Sequence, residues 1–367
     1  IFVCYFHLPF VPSRRGRGHI YLMKFLSARA ARVCTGPLTP YFAREVMLSY
    51  VIKRLLQSVA VMLFVAFICF VLSNYVGDPV NNMVGQEATI ADRAALRQEL
   101  GLNDPIVSQF GRFVSRAVQG DFGISYRQQR PVKTLLRERL PATLELVLIS
   151  AILALCVGIP CGVYTGLHRD NWVSRVILST SLVGVSLPTF VTGILLIYIF
   201  SVTFNLLPSY GRGEVVKAGA WTTGFLTASG WKAIILPSIT LCLYQLTLIL
   251  RIVRSEMLEV LRTDYIKFAR ARGLTNRAVH FGHALKNTLI PVITVTGLQV
   301  GSLIAFSIIT ETVFQWPGLG LLIIQAITFG DIPVIAAYLM LIALLFVTIN
   351  VVVDLLYFWV DPRVRIG

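Results

Sequence analysis

Residues able to perform chemistry are sparse in this sequence, and their spacing forms no catalytic motif. No Gly-Lys pair occurs, so a GxxxxGK[ST] phosphate loop is absent, as are HExxH and GxSxG. His280 and His283 share a helical face but have no acidic or cysteine ligand near them in sequence. Glu145, Glu311 and Asp354 lie near the ends of apolar segments, whereas ion-coupled carriers place such groups near the bilayer midplane. The sequence therefore disfavours a membrane enzyme and a self-contained secondary carrier, and predicts no catalytic or metal-binding residues.

The elements that carry these residues are apolar and long. Hydrophobic residues make up 56% of the 367 residues and charged residues 14%, against about 25% charged in soluble domains. A membrane-spanning helix needs about 20 apolar residues. Six segments qualify: 55–72, 146–167, 176–207 (interrupted by Pro188), 233–250, 289–310 and 333–353. The fold class predicted is an all-α polytopic membrane protein with about six transmembrane helices. Buried helices of a soluble core are disfavoured, because such helices are shorter and have amphipathic neighbours.

The net charge of +15 follows the membrane sides and does not indicate a nucleic-acid-binding surface. Four basic regions alternate with the spans and so fall on one side, which is cytoplasmic by the positive-inside rule. They hold Lys53 and Arg54; Arg169 and Arg175; Arg251, Arg254, Arg262, Lys267, Arg270, Arg272, Arg277 and Lys286; and Arg363 and Arg365. The basic stretch 77–142 falls outside, but loops longer than about 60 residues translocate regardless of charge. Both termini are predicted to be cytoplasmic.

Three regions divide the chain. Residues 1–46 are predicted to be a non-native or disordered extension, because they are basic, punctuated by proline and lack a signal-peptide pattern. Either translation starts at Met47, or this segment is a basic cytoplasmic tail that touches anionic lipid. Residues 47–142 hold the first helix and the long external loop. Residues 143–367 form a five-helix core with a cytoplasmic loop at about 251–289.

The loop between the fourth and fifth spans has the pattern helix, glycine turn, helix. Gly273 is placed as a C′ glycine, and Thr275 or Asn276 can cap the second helix. Apolar residues recur at helical spacing: Met257, Leu258, Leu261, Tyr265, Phe268 and Ala269, then Ala278, Phe281, Leu285 and Leu289. A soluble partner could hold such an element as a lever. The alternative is a helix pair lying on lipid headgroups.

Residues 264–274, with the sequence DYIKFARARGL, resemble the coupling-loop signature of binding-protein-dependent ABC importer permeases. The resemblance is closest to the dipeptide/oligopeptide/nickel permease family, and residues 283–291 (HALKNTLIP) extend it. Lys267, Phe268 and Ala269 stand where the general importer signature has Glu-Ala-Ala. Further matches lie along the chain from Met47: 77–79 (GDP), 100–105 (LGLNDP), 120–125 (GDFGIS), 139–146 (RLPATLEL), 311–320 (ETVFQWPGLG) and 361–363 (DPR).

The resemblance implies a type I importer permease in the bacterial cytoplasmic (inner) membrane, importing di- and oligopeptides. The alternative is import of nickel, glutathione or another small solute by the same machinery. The implied partners are a homologous second permease, two ABC ATPase subunits, an extracytoplasmic substrate-binding protein and the lipid bilayer, with no nucleic acid. The chain binds no cofactor of its own, since ATP-Mg is used by the ATPase subunits. The loop residues implied to contact the ATPase are Asp264, Tyr265, Ala269, Ala271, Gly273 and Leu274. Gly273→Asp or Ala269→Asp is expected to stop uptake without preventing insertion.

Polar residues at membrane depth are the candidates for a pore or a gate. We name Pro188, Gln245, Gln299 and Ser302. Proline breaks and buried amides are also ordinary in membrane helices, where they adjust the backbone and join helices, so both interpretations stay open. Trp316, followed by Pro317 and Gly318, is expected to anchor the chain at the membrane interface.

Overall fold

The computed structural model describes residues 40–75, 91, 93, 98, 103–219 and 221–360. Several predictions fall outside these residues: most of the 1–46 extension, the 77–79 motif and the 361–363 motif. Residues 53–367 form one compact unit, which contains all the contacts described below.

Long helices account for most of the described chain. The elements are α1 Pro40–Tyr75, α2 Ile106–Val118, α3 Val132–Leu167, α4 Trp172–Ser186, α5 Thr189–Thr203 (π-helical from Ile197), β1 Val216–Ala218, β2 Trp221–Thr223, α6 Ala228–Val260, α7 Asp264–Ala271, α8 Ala278–Val313 (π-helical to Ala284), α9 Leu319–Thr328 and α10 Ile332–Val360. The two strands form a small antiparallel hairpin in which Val216 pairs with Thr223. We call the end where α6 stops and α8 begins the loop end, and the opposite end of these helices the far end.

The membrane-spanning helices agree with the expected number. Within the described residues, five helices are apolar and long enough to cross a bilayer, and there are six spans if α4 and α5 count as one. These two helices meet at 109° around Pro188, which begins α5 with φ −56° and ψ 140°. Proline lacks the amide hydrogen that would continue α4, so the predicted interruption is confirmed. A helix also lies at 106–118, inside the predicted external loop.

Two boundaries differ from expectation. The second span begins at Val132, so the end of the predicted external loop is helical. Between the fifth and sixth spans, where a simple loop was expected, α9 forms a short apolar helix. One face of α9 is buried against α3 and α10 through Leu319, Leu322 and Ile323. Tertiary burial, which local spacing does not report, makes this segment helical.

Three glycines on α3 bring its backbone against α6. They are spaced four residues apart and each meets a residue of α6 at the same spacing: Gly158 with Ile249, Gly162 with Val253, and Gly166 with Met257. A Cβ added to Gly162 would lie 2.6 Å from the Cβ of Val253. Small residues at this spacing allow close helix packing in membranes, where hydrophobic burial does not drive helices together. This glycine row makes α3 and α6 the central pair of the bundle.

Candidate functional site

The buried side of α7 fastens the predicted coupling loop to the bundle. Ile266 and Ala269 are buried and join an apolar cluster with Met257 of α6 and with Val279 and Ala284 of α8. That cluster is continuous with the loop end of the α3–α6 pair. The loop is therefore packed against the bundle and contributes buried side chains to its core.

A glycine turn ends α7, as predicted. Gly273 has φ +81°, and its N–H donates to the carbonyl of Arg270 at 3.0 Å while Leu274 N donates to Ala269 O at 3.4 Å. This pair of bonds is a Schellman motif, which needs a left-handed residue at C′. No atom lies within 4 Å of the position of an added Cβ, so backbone conformation, and not space, requires glycine.

The second half of the loop is tied back to the first. The hydroxyl of Thr275 accepts from Ala278 N at 3.4 Å, in agreement with its expected capping position. Asn287 Nδ2 donates to the hydroxyl of Tyr265 at 2.6 Å, which joins α7 to α8 directly. The two halves of the loop are thus joined by apolar packing and by a side-chain hydrogen bond.

The outward face of the loop is aromatic, and the predicted apolar stripe was wrong for part of its length: Met257 and Ala269 are buried, but the two phenylalanines are not. Phe268 is 64% exposed and Phe281 54% exposed, whereas Ile266 and Val279 are buried. The cause is a break after Val260, where Arg262 N bonds to Glu259 O and Thr263 N to Val260 O in tight i→i−3 turns. Because α7 restarts after this break, the helical phase counted from Met257 does not continue into it.

The predicted loop residues do not share one surface. Tyr265, Gly273 and Leu274 are exposed together with Ala271 and Asp264, whose carboxylate accepts from Lys267 Nζ at 2.8 Å. Ala269 is 7% exposed and lies in the core, so Ala269→Asp would disturb packing before it tested a contact. Gly273→Asp would likewise strain the turn. Phe268 stands where the general importer signature has alanine. It is the most exposed large apolar side chain of α7.

The candidate pore residues occupy different environments. Gln245 is 1% exposed inside the bundle, and its Nε2 has no hydrogen-bond partner among the described residues. Gln299 and Ser302 are half-buried on α8, and Pro188 is exposed at the α4–α5 bend. Their role in a pore or gate stays a prediction.

At the far end, Glu311 organises a polar cluster that sequence reasoning missed. The carboxylate is fully buried and accepts from the Thr143 hydroxyl at 2.6 Å, from Gly320 N at 2.6 Å and from Leu321 N at 3.1 Å. The Thr143 hydroxyl also accepts from Leu319 N at 2.8 Å. Two side chains thereby satisfy the first amides of α9, which have no partner within their own helix. A partial signal was present: Glu311 lies beside apolar segments, which indicates that a buried carboxylate needs a partner, although residues 311–332 contain no Lys or Arg to supply one.

Trp316 belongs to the same cluster and is packed inside the protein, while its expected position at the membrane interface stays a prediction. The side chain is 1% exposed, and its Nε1 donates to the carbonyl of Ala142 at 2.9 Å. Trp316 N also donates to Glu311 O at 2.8 Å, so the chain folds back after α8 and carries the indole inward. Trp316 therefore joins the end of α8 to α3.

A buried ion pair fixes the hairpin at the far end. Arg212 Nη2 donates to Glu145 Oε2 at 2.5 Å and to Thr222 O at 2.6 Å, with both charged side chains almost fully buried. Trp221 Nε1 donates to the other carboxylate oxygen of Glu145 at 3.3 Å. The pair ties strand β2 and the segment before it to α3. Since residues 205–232 hold only three basic side chains, a partner for Glu145 could have been sought among them.

A third carboxylate joins the segment before α3 to the α9–α10 turn. Asp331 accepts from the Ser125 hydroxyl at 2.5 Å and from Tyr126 N at 3.2 Å. Nearby, the guanidinium of Arg127 lies 3.3 Å from the ring centroid of Phe329. Together with Glu311, Asp331 holds α9 at both of its ends.

Comparisons with known proteins agree with this architecture. Residues 158–366 match a family model described as "Binding-protein-dependent transport system inner membrane component", and residues 47–147 match the model for the N-terminal part of such membrane components. The dipeptide transport system permease protein DppB of Alkalihalophilus pseudofirmus is 37% identical over 332 residues, covering 87% of this chain and 100% of the relative.

Two further similarities concern sequence and fold. The glutathione transport system permease protein GsiC of Escherichia coli K12 is 38% identical over 320 residues, covering 87% of this chain and 99% of the relative. An inward-facing structure of the MetNI methionine ABC transporter matches with a TM-score of 0.50 and 20% sequence identity, covering 62% of this chain and 96% of that chain. At that identity the likeness concerns the fold alone.

Proposed function

Because the chain belongs to the family of binding-protein-dependent inner membrane transport components, we propose that it is the permease subunit through which an ATP-driven importer passes di- and oligopeptides. It is a multi-pass inner membrane protein and a transport subunit, not an enzyme. The observation that carries the proposal is the near full-length similarity to named dipeptide and glutathione permeases.

The substrate class rests on those two relatives. Glutathione is itself a small peptide, so both names favour a peptide-sized substrate over nickel. Glutathione import by this chain remains the second candidate. The scarcity of charged residues in the spans is compatible with a substrate whose own charges cancel.

Energy enters through the outward face of the loop. An ATPase subunit receives Phe268, Leu274 and Phe281 in an apolar groove, because aromatic side chains exposed on a packed element favour a partner surface. The basic residues around them then lie at the rim. ATP-Mg is bound by two such ATPase subunits, since this chain has no phosphate loop. A homologous second permease and an external binding protein complete the importer.

Orientation follows from charge. Among the connections short enough for the positive-inside rule to apply, this loop carries the most basic residues, so it faces the cytoplasm, as do both termini. In the proposed organisation residues 1–46 are an extension, residues 47–142 the first helix with its external loop, and residues 143–367 the permease core.

Uptake in cells lacking this gene tests the substrate. We expect uptake of labelled di- and oligopeptides to be lost and then restored by the wild-type chain. Restoration of glutathione uptake alone would assign the second candidate, and no restored uptake of peptide, glutathione or nickel would overturn both.

The loop is tested with a matched pair of variants. Phe268→Leu keeps an apolar side chain and should retain most uptake, whereas Phe268→Asp should abolish it while membrane insertion is unchanged. Equal uptake by the two variants would contradict docking through this face. Labelling of Leu274→Cys from outside sealed cells would contradict the orientation.

A further inference from the structure

One continuous helix connects the predicted coupling loop to the far-end cluster. α8 runs for 36 residues from Ala278 to Val313, which corresponds to about 54 Å at 1.5 Å per residue. Its first turns carry Val279 and Ala284, which pack with the loop helix α7. Its last turn carries Glu311. The same helix therefore reaches from the predicted coupling loop to the position of Glu311.

Glu311 then joins α8 to two other elements. Oε1 receives the Thr143 hydroxyl of α3, and Oε2 receives the amides of Gly320 and Leu321 of α9. These three donors reach the carboxylate from elements other than α8. In a buried site such charge-assisted bonds are stronger than neutral ones.

The surroundings of the carboxylate are shaped to hold it. A Cβ on Gly318 would lie 2.4 Å from Glu311 Oε2, and one on Gly320 would lie 2.9 Å from the same oxygen. Any larger residue at either position would displace the carboxylate. The position of the Glu311 carboxylate therefore depends on glycine at both 318 and 320.

We propose that Glu311 is a positioning residue that transmits movement of the loop to the far end of the permease. It does so through hydrogen bonds that join α9 and α3 to the end of α8. Without it, the ATPase subunits still hydrolyse ATP and move the loop, but α9 does not follow and substrate does not pass. The inference rests on the proposed importer function and deepens it.

The test uses the complete importer in lipid vesicles, assembled from this chain, its second permease, both ATPase subunits and the binding protein. Peptide uptake and peptide-stimulated ATP hydrolysis are measured on the same vesicles. For Glu311→Gln we expect ATP hydrolysis within about twofold of wild type and peptide moved per ATP reduced about tenfold, since two amides and a hydroxyl lose a charged acceptor. Equal loss of both activities, or wild-type transport per ATP, would overturn the proposal.

Threonine variants distinguish the hydrogen bonds around Glu311 from a general effect on packing. Thr143→Val removes the hydroxyl and should reduce transport per ATP, whereas Thr143→Ser should restore it. Thr312→Val is the matched control, because the Thr312 hydroxyl bonds to Ile308 O of its own helix at 2.8 Å. A decrease for Thr312→Val equal to that for Thr143→Val would contradict the proposal.

A measurement on the wild-type importer tests the proposal even if the variants do not fold. The amides of Gly320 and Leu321 should remain protected from hydrogen exchange both with and without ATP, because their hydrogen bonds to Glu311 persist throughout the transport cycle. Exchange of these amides in either state would overturn the inference. A wild-type importer without peptide-stimulated hydrolysis would instead overturn the proposed function, so the two failures are distinguishable.

Discussion

The two ends of the helical bundle are held together in different ways. The far end is joined by buried carboxylates, with Glu145 on Arg212, Glu311 on backbone amides and Asp331 on Ser125. The loop end is joined by apolar side chains such as Ile266 and leaves Phe268 exposed. Buried polar contacts need matched geometry, whereas apolar packing tolerates adjustment and leaves a surface for a partner. The difference suggests that the far end fixes the helices relative to one another, whereas the loop end offers a surface to a partner.

The largest effect is expected at the buried ion pair of the far end. Arg212→Met leaves the Glu145 carboxylate buried without its partner and should lower the free energy of unfolding by about 3–5 kcal/mol. Thermal unfolding in detergent measures this loss. The double variant Glu145→Gln/Arg212→Met should recover a large part of it. Arg130→Met removes an exposed pair with Glu138 and should leave the unfolding temperature unchanged; equal losses would remove the contrast between buried and exposed charges.

A comparable loss is expected from the buried side of the loop. Ile266→Ala removes a fully buried side chain and should cost about 2–5 kcal/mol of unfolding free energy. Because Ile266 lies in the same cluster as Met257 and Val279, the loss should appear in global unfolding. Local opening of the loop without global destabilisation would show that the loop is a separate unit.

A smaller effect is expected at the glycine turn. Gly273→Ala places a Cβ in the left-handed region and should cost about 1–2 kcal/mol. Gly111→Ala is the control, since Gly111 lies within α2 with no atom near the added Cβ and with helical backbone. That control should be neutral or slightly stabilising. If both variants behave alike, the left-handed turn is not what requires glycine.

The smallest effect on stability belongs to the exposed aromatic face. Phe268→Ala should change unfolding free energy by no more than about 0.5 kcal/mol. Peptide uptake should nevertheless decrease strongly, because the side chain contributes to a partner surface. A stability loss similar to that of Ile266→Ala would mean that Phe268 supports the fold and not an interface.

Sequence patterns predicted what local chemistry determines. The spans follow from apolar length, the α4–α5 interruption from Pro188, and the end of α7 from Gly273. The facing direction of Phe268 was not predictable, because the turns after Val260 reset the helical phase.

The far-end contacts lay beyond local pattern altogether. Thr143 and Glu311 are 168 residues apart in sequence, and Glu145 and Arg212 are 67 apart. Only the tertiary arrangement brings them together. The charge of each glutamate within an apolar region indicated that a partner was needed, but not which one. The burial of Trp316 was missed for the same reason, since its acceptor Ala142 lies on a distant helix.

The glycine row on α3 also dictates how that helix is turned about its own axis. A rotation of about 100° would present the next residue in each turn. Those residues are Ile159, Val163 and Leu167, all too large for the space that the glycines leave beside α6. That rotation is therefore sterically incompatible with the close approach to α6. Membrane insertion does not have to guard against it, because packing on α6 already excludes it.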